Sequence, residues 1–145
     1  MVKVTGIYPR VGVDSGEVAA VGHAGGVLLT ETVRVTGLGR CLSAALAGWR
    51  KPLARHDPAK VVLDLAITLA VGGDAMSDIA TVRAEPALYG VASGPTVSRT
   101  ITTLAADAEA VETPVTYRAW ASLRSRAPEA PLAAPEASEL MPLTR

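Results

Sequence analysis

The sequence is poor in the residues that usually fill a large core: it has no phenylalanine, two tryptophans and three tyrosines. With 49% hydrophobic residues but only 3% aromatic, the interior has to be built from Ala, Val and Leu, and such small side chains favour closely packed helices. Cysteine is nearly absent too. Cys41 stands alone, which excludes an internal disulfide and any cysteine-rich zinc site and fits a reducing compartment. A lone thiol of this kind reads first as a small buried apolar residue and only then as a nucleophile. No charge sign prevails, since 14 Lys and Arg balance 14 Asp and Glu. That removes a global basic field but leaves room for a local basic face. The longest apolar run, Val61 to Val71, contains Asp64 and falls short of the ~20 residues that span a bilayer. Near the N-terminus Asp14, Glu17 and His23 interrupt the apolar stretch, so the unbroken core of a signal peptide is missing. These absences predict a cytoplasmic protein with no membrane partner.

Several chemical motifs are missing as well. There is no GxxxxGK[ST] loop and no GxGxxG, hence no cradle for a nucleotide phosphate. His23 and His56 lack HExxH or comparable spacing, and surface or capping roles suit them better than a metal site. Without a GxSxG elbow, any Ser–His–Asp triad would be arbitrary. No catalytic residue, metal ligand or cofactor site is therefore assigned.

What remains is helical periodicity. Residues 1–24 are punctuated by Pro9, Gly12 and Gly16 and read as an irregular or short-strand arm. A first helix starts near Gly25 and stops at Gly37. A second runs from Leu38 to Trp49, with Leu38, Leu42, Ala45, Leu46 and Trp49 at spacings of three and four. The third has the clearest start: Asp57 caps, Pro58 takes the first helical position, and a long apolar run follows. Lys60, Asp64 and Thr68 form its one polar stripe, so this helix should be central and buried. Gly72-Gly73 ends it, and Asp74 is placed to cap a fourth helix over about Ala75–Ala84. A fifth starts at Ser93 with Pro95 in its first turn and continues to about Ala110. Val97, Ile101 and Leu104 should face inward on it, and Thr96, Arg99, Thr102 and Thr103 outward. Five of the ten prolines fall between Pro114 and Pro142, a composition too poor in large apolar residues to offset ordering entropy. The fold class is thus mainly α: about five helices over 25–112, with an irregular arm at 1–24 and a mostly disordered Pro/Ala-rich tail at 113–145. A short helix around Tyr117–Arg126 would have little to pack on.

Asp64 allows two readings. VVLDLA resembles a buried strand presenting a catalytic aspartate, as two-metal phosphoryl transfer requires. The helical start favours the other reading, a helical Asp64 paired with Lys60 at i, i+4. Arg50, Lys51, Arg55, His56 and Lys60 cluster at the turn before the third helix, where they would suit a DNA backbone or an ordinary solvated loop. Ala75–Ala84 and Ser93–Ala110 resemble a helix-turn-helix in outline, with a longer linker than usual. In that arrangement Thr96, Ser98 and Arg99 would approach a groove of the duplex.

Four segments in order, HDPAK with its apolar helix, GGDAMSDIA, RAEPALYG and SGPTVSRTI, are similar to the N-terminal region of bacterial DDE-type insertion-sequence transposases. The likeness covers roughly residues 25–108. It implies a helical part lying ahead of a catalytic domain in which Asp, Asp and Glu hold two magnesium ions. No family catalytic position falls on this sequence, and the departure after about Glu112 suggests a truncated or frameshifted reading frame, inactive alone and needing no cofactor. The resemblance implies duplex DNA at transposon ends as a partner, through Arg50, Lys51, Arg55, Thr96, Ser98 and Arg99, or pairing with a full-length transposase or a second copy. The alternative is a structural or protein-pairing module with no DNA binding, and a third is a nuclease dependent on Asp64.

Overall fold

Asp57 and Pro58 start the central helix as their chemistry requires. The Asp57 backbone is extended and its Oδ1 accepts the Ala59 N–H at 2.9 Å, satisfying one of the orphan donors of a helix start. The structure, a computed structural model, describes residues 7–8, 24–86 and 88–124. Within them lie six α-helices and two short 3-10 turns, and no strand occurs among the described residues. They are α1 (Ala24–Thr36), α2 (Leu38–Ala45), α3 (Pro58–Ala70), α4 (Ile79–Arg83), α5 (Gly94–Ala105) and α6 (Ala108–Arg124). The mainly α expectation holds.

α3 packs against α1, α2, α4 and α5, and buries Val61, Leu63 and Ile67 in the core with Leu46, Val82 and Val97 from its neighbours. It ends at Gly72, whose φ of 102° is open to glycine and strained for other residues. Gly72 and Gly73 donate back to the carbonyls of Leu69 and Thr68, closing the last turn.

Several boundaries differ from the sequence reading. The second helix breaks at Leu46 and continues to Trp49 only as a 3-10 turn. Asp74 does not cap. The Asp78 carboxylate instead accepts the N–H groups of Asp74 and Ala75, both at 3.0 Å, which holds its pKa below the usual carboxylate value. A 3-10 turn at Met76–Asp78 then leads into an α4 of five residues, shorter than the expected Ala75–Ala84. The helix after Ser93 ends at Ala105 rather than Ala110, and after a turn α6 begins at Ala108.

The expected boundary at 112 therefore falls inside a helix. α6 lies along α2 and packs Val111, Val115 and Ala119, spaced by four, against the core. Two hydrogen bonds fasten its ends: Trp49 Nε1 donates to Asp107 at 3.1 Å, and Ser122 Oγ donates to the Thr36 carbonyl at 2.9 Å. Pro114 sits within it and removes one helical hydrogen bond. The arm at 1–24 and the tail beyond 124 lie outside the described residues apart from Ile7, Tyr8 and Ala24.

The chain between the second helix and α3 turns at Lys51–Ala54. Pro52 takes the second position, Leu53 the third with φ 64°, and Ala54 donates to the Lys51 carbonyl at 3.1 Å. This is type II geometry, whose third position suits Gly or Asn. A left-handed non-glycine residue is strained by roughly 1–2 kcal/mol, and Leu53, fully exposed, packs on nothing that offsets it. Leu53→Gly should raise stability by about 1 kcal/mol or slightly less, since the strain relieved outweighs the chain entropy that glycine adds to the unfolded state. The check is a higher urea midpoint at unchanged slope, and an unchanged midpoint would mean the turn is unstrained.

Candidate nucleic-acid interface

The Lys51–Ala54 turn projects the loop toward the outer face of α5, and the two enclose a groove of about 350 Å³. Lys51, Arg55 and His56 line it from the loop, and Thr96, Arg99 and Thr103 from the helix, over a base that includes Trp49 and Leu104. Positions 96, 99, 100 and 103 share one face of α5 because they recur at helical spacing. Val97 and Leu104 are buried and anchor that helix on α3.

Four of the six residues expected to contact DNA, Lys51, Arg55, Thr96 and Arg99, thus meet in one groove. The other two do not line it. Arg50 reaches back to Asp57, Nη1 to Oδ2 3.4 Å, and Ser98 is exposed on α5 beside the groove residues. Lys60, counted with the basic cluster from its position, turns inward and is buried. No carboxylate lines the groove. The nearest in sequence, Asp57, is occupied by the Ala59 N–H, by Ser43 Oγ at 2.6 Å and by Arg50.

Arg99 is held along the first turn of α5. Its Nε donates to the Pro95 carbonyl at 3.2 Å and its Nη2 approaches Thr96 Oγ1 at 3.5 Å. Thr96 Oγ1 in turn meets Ser93 Oγ at 3.0 Å. The guanidinium therefore stays near the positive end of the helix, where an anion is favoured. The helix-turn-helix outline is looser than expected: α4 has five residues, and residues 84–93 separate it from α5. Arg83 fixes that linker by donating to the Ala92 carbonyl at 2.9 Å.

Asp64 is helical and paired with Lys60, Nζ to Oδ1 2.5 Å, and is entirely buried. Tyr8 Oη donates to the same oxygen at 2.8 Å, and Lys60 Nζ also donates to the Tyr89 carbonyl at 2.6 Å. The ammonium lies 4.4 Å over the Tyr8 ring. Burial pushes the Asp64 carboxyl up and the Lys60 ammonium down, each against the attraction of the other. Nothing in the sequence pointed to Tyr8 here, because its segment has no periodicity, and the groove positions Trp49 and Thr103 were read only as packing and as outward-facing.

Metal-assisted phosphoryl transfer needs convergent, accessible carboxylates. Among the described residues no three His, Cys, Asp or Glu are grouped so as to hold a metal ion, and Asp64 is sealed in its ion pair. These residues do not fit a magnesium pair. No helix among the described residues is long and apolar enough to cross a membrane.

A family model described as transposase DDE domain group 1 matches residues 6–131, a span that takes in the groove and the buried ion pair. Neither the curated proteins nor the solved structures contain a match to the chain.

Proposed function

The chain belongs to the transposase DDE domain group 1 family, so its function is related to transposition, and we propose that its described residues hold duplex DNA without cutting or joining it. One observation carries this reading: Lys51 and Arg55 from a loop and Arg99 from a helix face a single groove with no carboxylate in its lining. Cations converging from separate elements suit a phosphate backbone, which presents charge at regular intervals. Thr96 supplies a neutral hydroxyl beside them, as positioning contacts do. Ser98 stands close enough in sequence to join them at the edge of the site, and Arg50 would do so on leaving Asp57.

The test is binding of the full chain to duplex DNA across a series of salt concentrations, read by fluorescence anisotropy. Each neutralised phosphate contributes about 0.9 to the slope of log affinity against log salt. Lys51→Ala, Arg55→Ala and Arg99→Ala should each flatten the slope by roughly that amount and weaken binding on all sequences alike. Variants with wild-type slopes would remove the groove from the DNA contact. Absence of binding at low salt would end the reading.

A second reading, a protein-pairing module, has its own support. Leu28, Leu69 and Tyr117 are large apolar side chains more than half exposed, and a cleft between α2 and α6 is lined by Cys41, Pro114 and Tyr117. That reading calls for self-association or for binding to a longer transposase with no retardation of DNA.

A further inference from the structure

A single exposed leucine is ordinary on a protein surface. Leu53 is unusual because three features coincide on it. Its relative exposure is 104%, the most that a side chain in an extended peptide would show. Its φ of 64° is the left-handed conformation that Gly or Asn adopts without strain at this position of a turn. The residue before it is Pro52, whose ring fixes the backbone and stiffens the tip. The side chain is thereby displayed at the summit of a short rigid turn.

Its surroundings indicate what it is displayed to. Lys51 and Arg55 lie two residues away on either side, and both line the basic groove, as does Leu53 itself. A partner complementary to this tip carries negative charge on both flanks of a narrow apolar slot. A nucleic-acid duplex has that arrangement at every base step, with phosphates outside and stacked base faces within. An acidic protein surface supplies the charges but has no reason to repeat the slot between them.

We propose that Leu53 acts as an apolar wedge, entering between base pairs and partly unstacking them while Lys51, Arg55 and Arg99 hold the flanking phosphates. The inference rests on the DNA-holding reading of the groove. It adds a deformation of the duplex that charge contacts alone do not produce, and it favours flexible pyrimidine–purine steps, which unstack most easily.

The experiment titrates the full chain into duplexes carrying 2-aminopurine at pyrimidine–purine steps. Anisotropy reports binding, and 2-aminopurine fluorescence, which rises on unstacking, reports the wedge. The wild type should bind with a fluorescence rise. Leu53→Ala should lose most of that rise and about tenfold in affinity, with its salt slope unchanged, whereas Leu53→Met should keep most of both. Circular dichroism verifies that each variant is folded, as expected for a residue with no packing partner. Binding with no rise, or a full rise with Leu53→Ala, overturns the wedge and leaves the groove reading standing. An Ala variant that binds and unstacks DNA normally but loses self-association assigns the tip to a protein contact and overturns the proposal. No anisotropy change with the wild type overturns both readings.

Discussion

Asp64→Ala is expected to destabilise the protein by about 3–5 kcal/mol, a large part of the stability of a domain this size. The loss follows from what the truncation leaves behind. Lys60 would keep an ammonium in the core, with only the Tyr89 carbonyl as a polar partner, and the Tyr8 hydroxyl would lose its acceptor. An uncompensated buried charge costs far more than the intact pair contributes. Asp64→Asn should cost less, because its amide oxygen still accepts from Tyr8 and Lys60. Urea unfolding at pH 7 decides the matter: a loss below about 1 kcal/mol would mean that water reaches the pair.

Removing both charges separates the pair from its surroundings. Lys60→Met with Asp64→Leu and Tyr8→Phe should recover most of the stability lost by Asp64→Ala, short of the bond given up at the Tyr89 carbonyl. The triple variant also exposes a pH dependence. A carboxyl whose folded pKa is raised above its ordinary 3.8 stabilises the fold fully only below that ordinary value. The contribution is lost as pH rises through the folded pKa. The wild type should therefore lose ground against the triple variant as pH rises from about 4 toward neutrality. A wild type that instead gains on the triple variant as pH rises over this range would show that the lysine, rather than burial, sets the carboxyl.

Legibility in the sequence follows how local each cause is. The cap at Asp57-Pro58, the polar spacing of Lys60, Asp64 and Thr68, and the inward stripe of Val97, Ile101 and Leu104 depend on neighbours within a few residues, and all three read correctly. α6 had a local signal in Val111, Val115 and Ala119, but Pro114 and the scarcity of large apolar side chains obscured it. Its surface on α2 is a tertiary fact, which propensity does not carry. The groove was legible residue by residue and illegible as a site. Lys51 and Arg99 are distant in sequence, and α3 brings them together by packing against both α2 and α5. Lys60 shows the converse, since its place in a basic run suggested solvent while helical phase turned it into the core. Tyr8 was beyond reach, because an aperiodic arm gives no clue to the helix it will touch.

Gly26→Ala is the second large effect, and it opposes helix propensity. Gly26 lies within α1, where alanine would ordinarily gain about 1 kcal/mol. A Cβ there would sit 1.7 Å from Tyr89 Oη and 3.1 Å from Cζ. Tyr89 has no room to retreat: it is 1% exposed, its ring meets Tyr8 edge-on at 6.5 Å, and its carbonyl is held by Lys60. Overpacking of a fixed ring costs about 1–3 kcal/mol and sometimes more, so a net loss of about 2 kcal/mol is expected after the propensity gain. The hydroxyl that causes the clash is buried without a hydrogen-bond partner. Tyr89→Phe should therefore be neutral or stabilising by about 1 kcal/mol, because no bond is lost and an unsatisfied group is removed. In that background Gly26→Ala meets only the ring carbon, which a few tenths of an ångström of movement accommodates. The two substitutions should couple by about 2–3 kcal/mol in a double-mutant cycle, the double variant being more stable than the sum predicts. Additivity within about 0.5 kcal/mol would place the strain elsewhere. Coupling of the expected sign would show that the close approach of α1 to the linker ahead of α5 is set by one glycine and one hydroxyl.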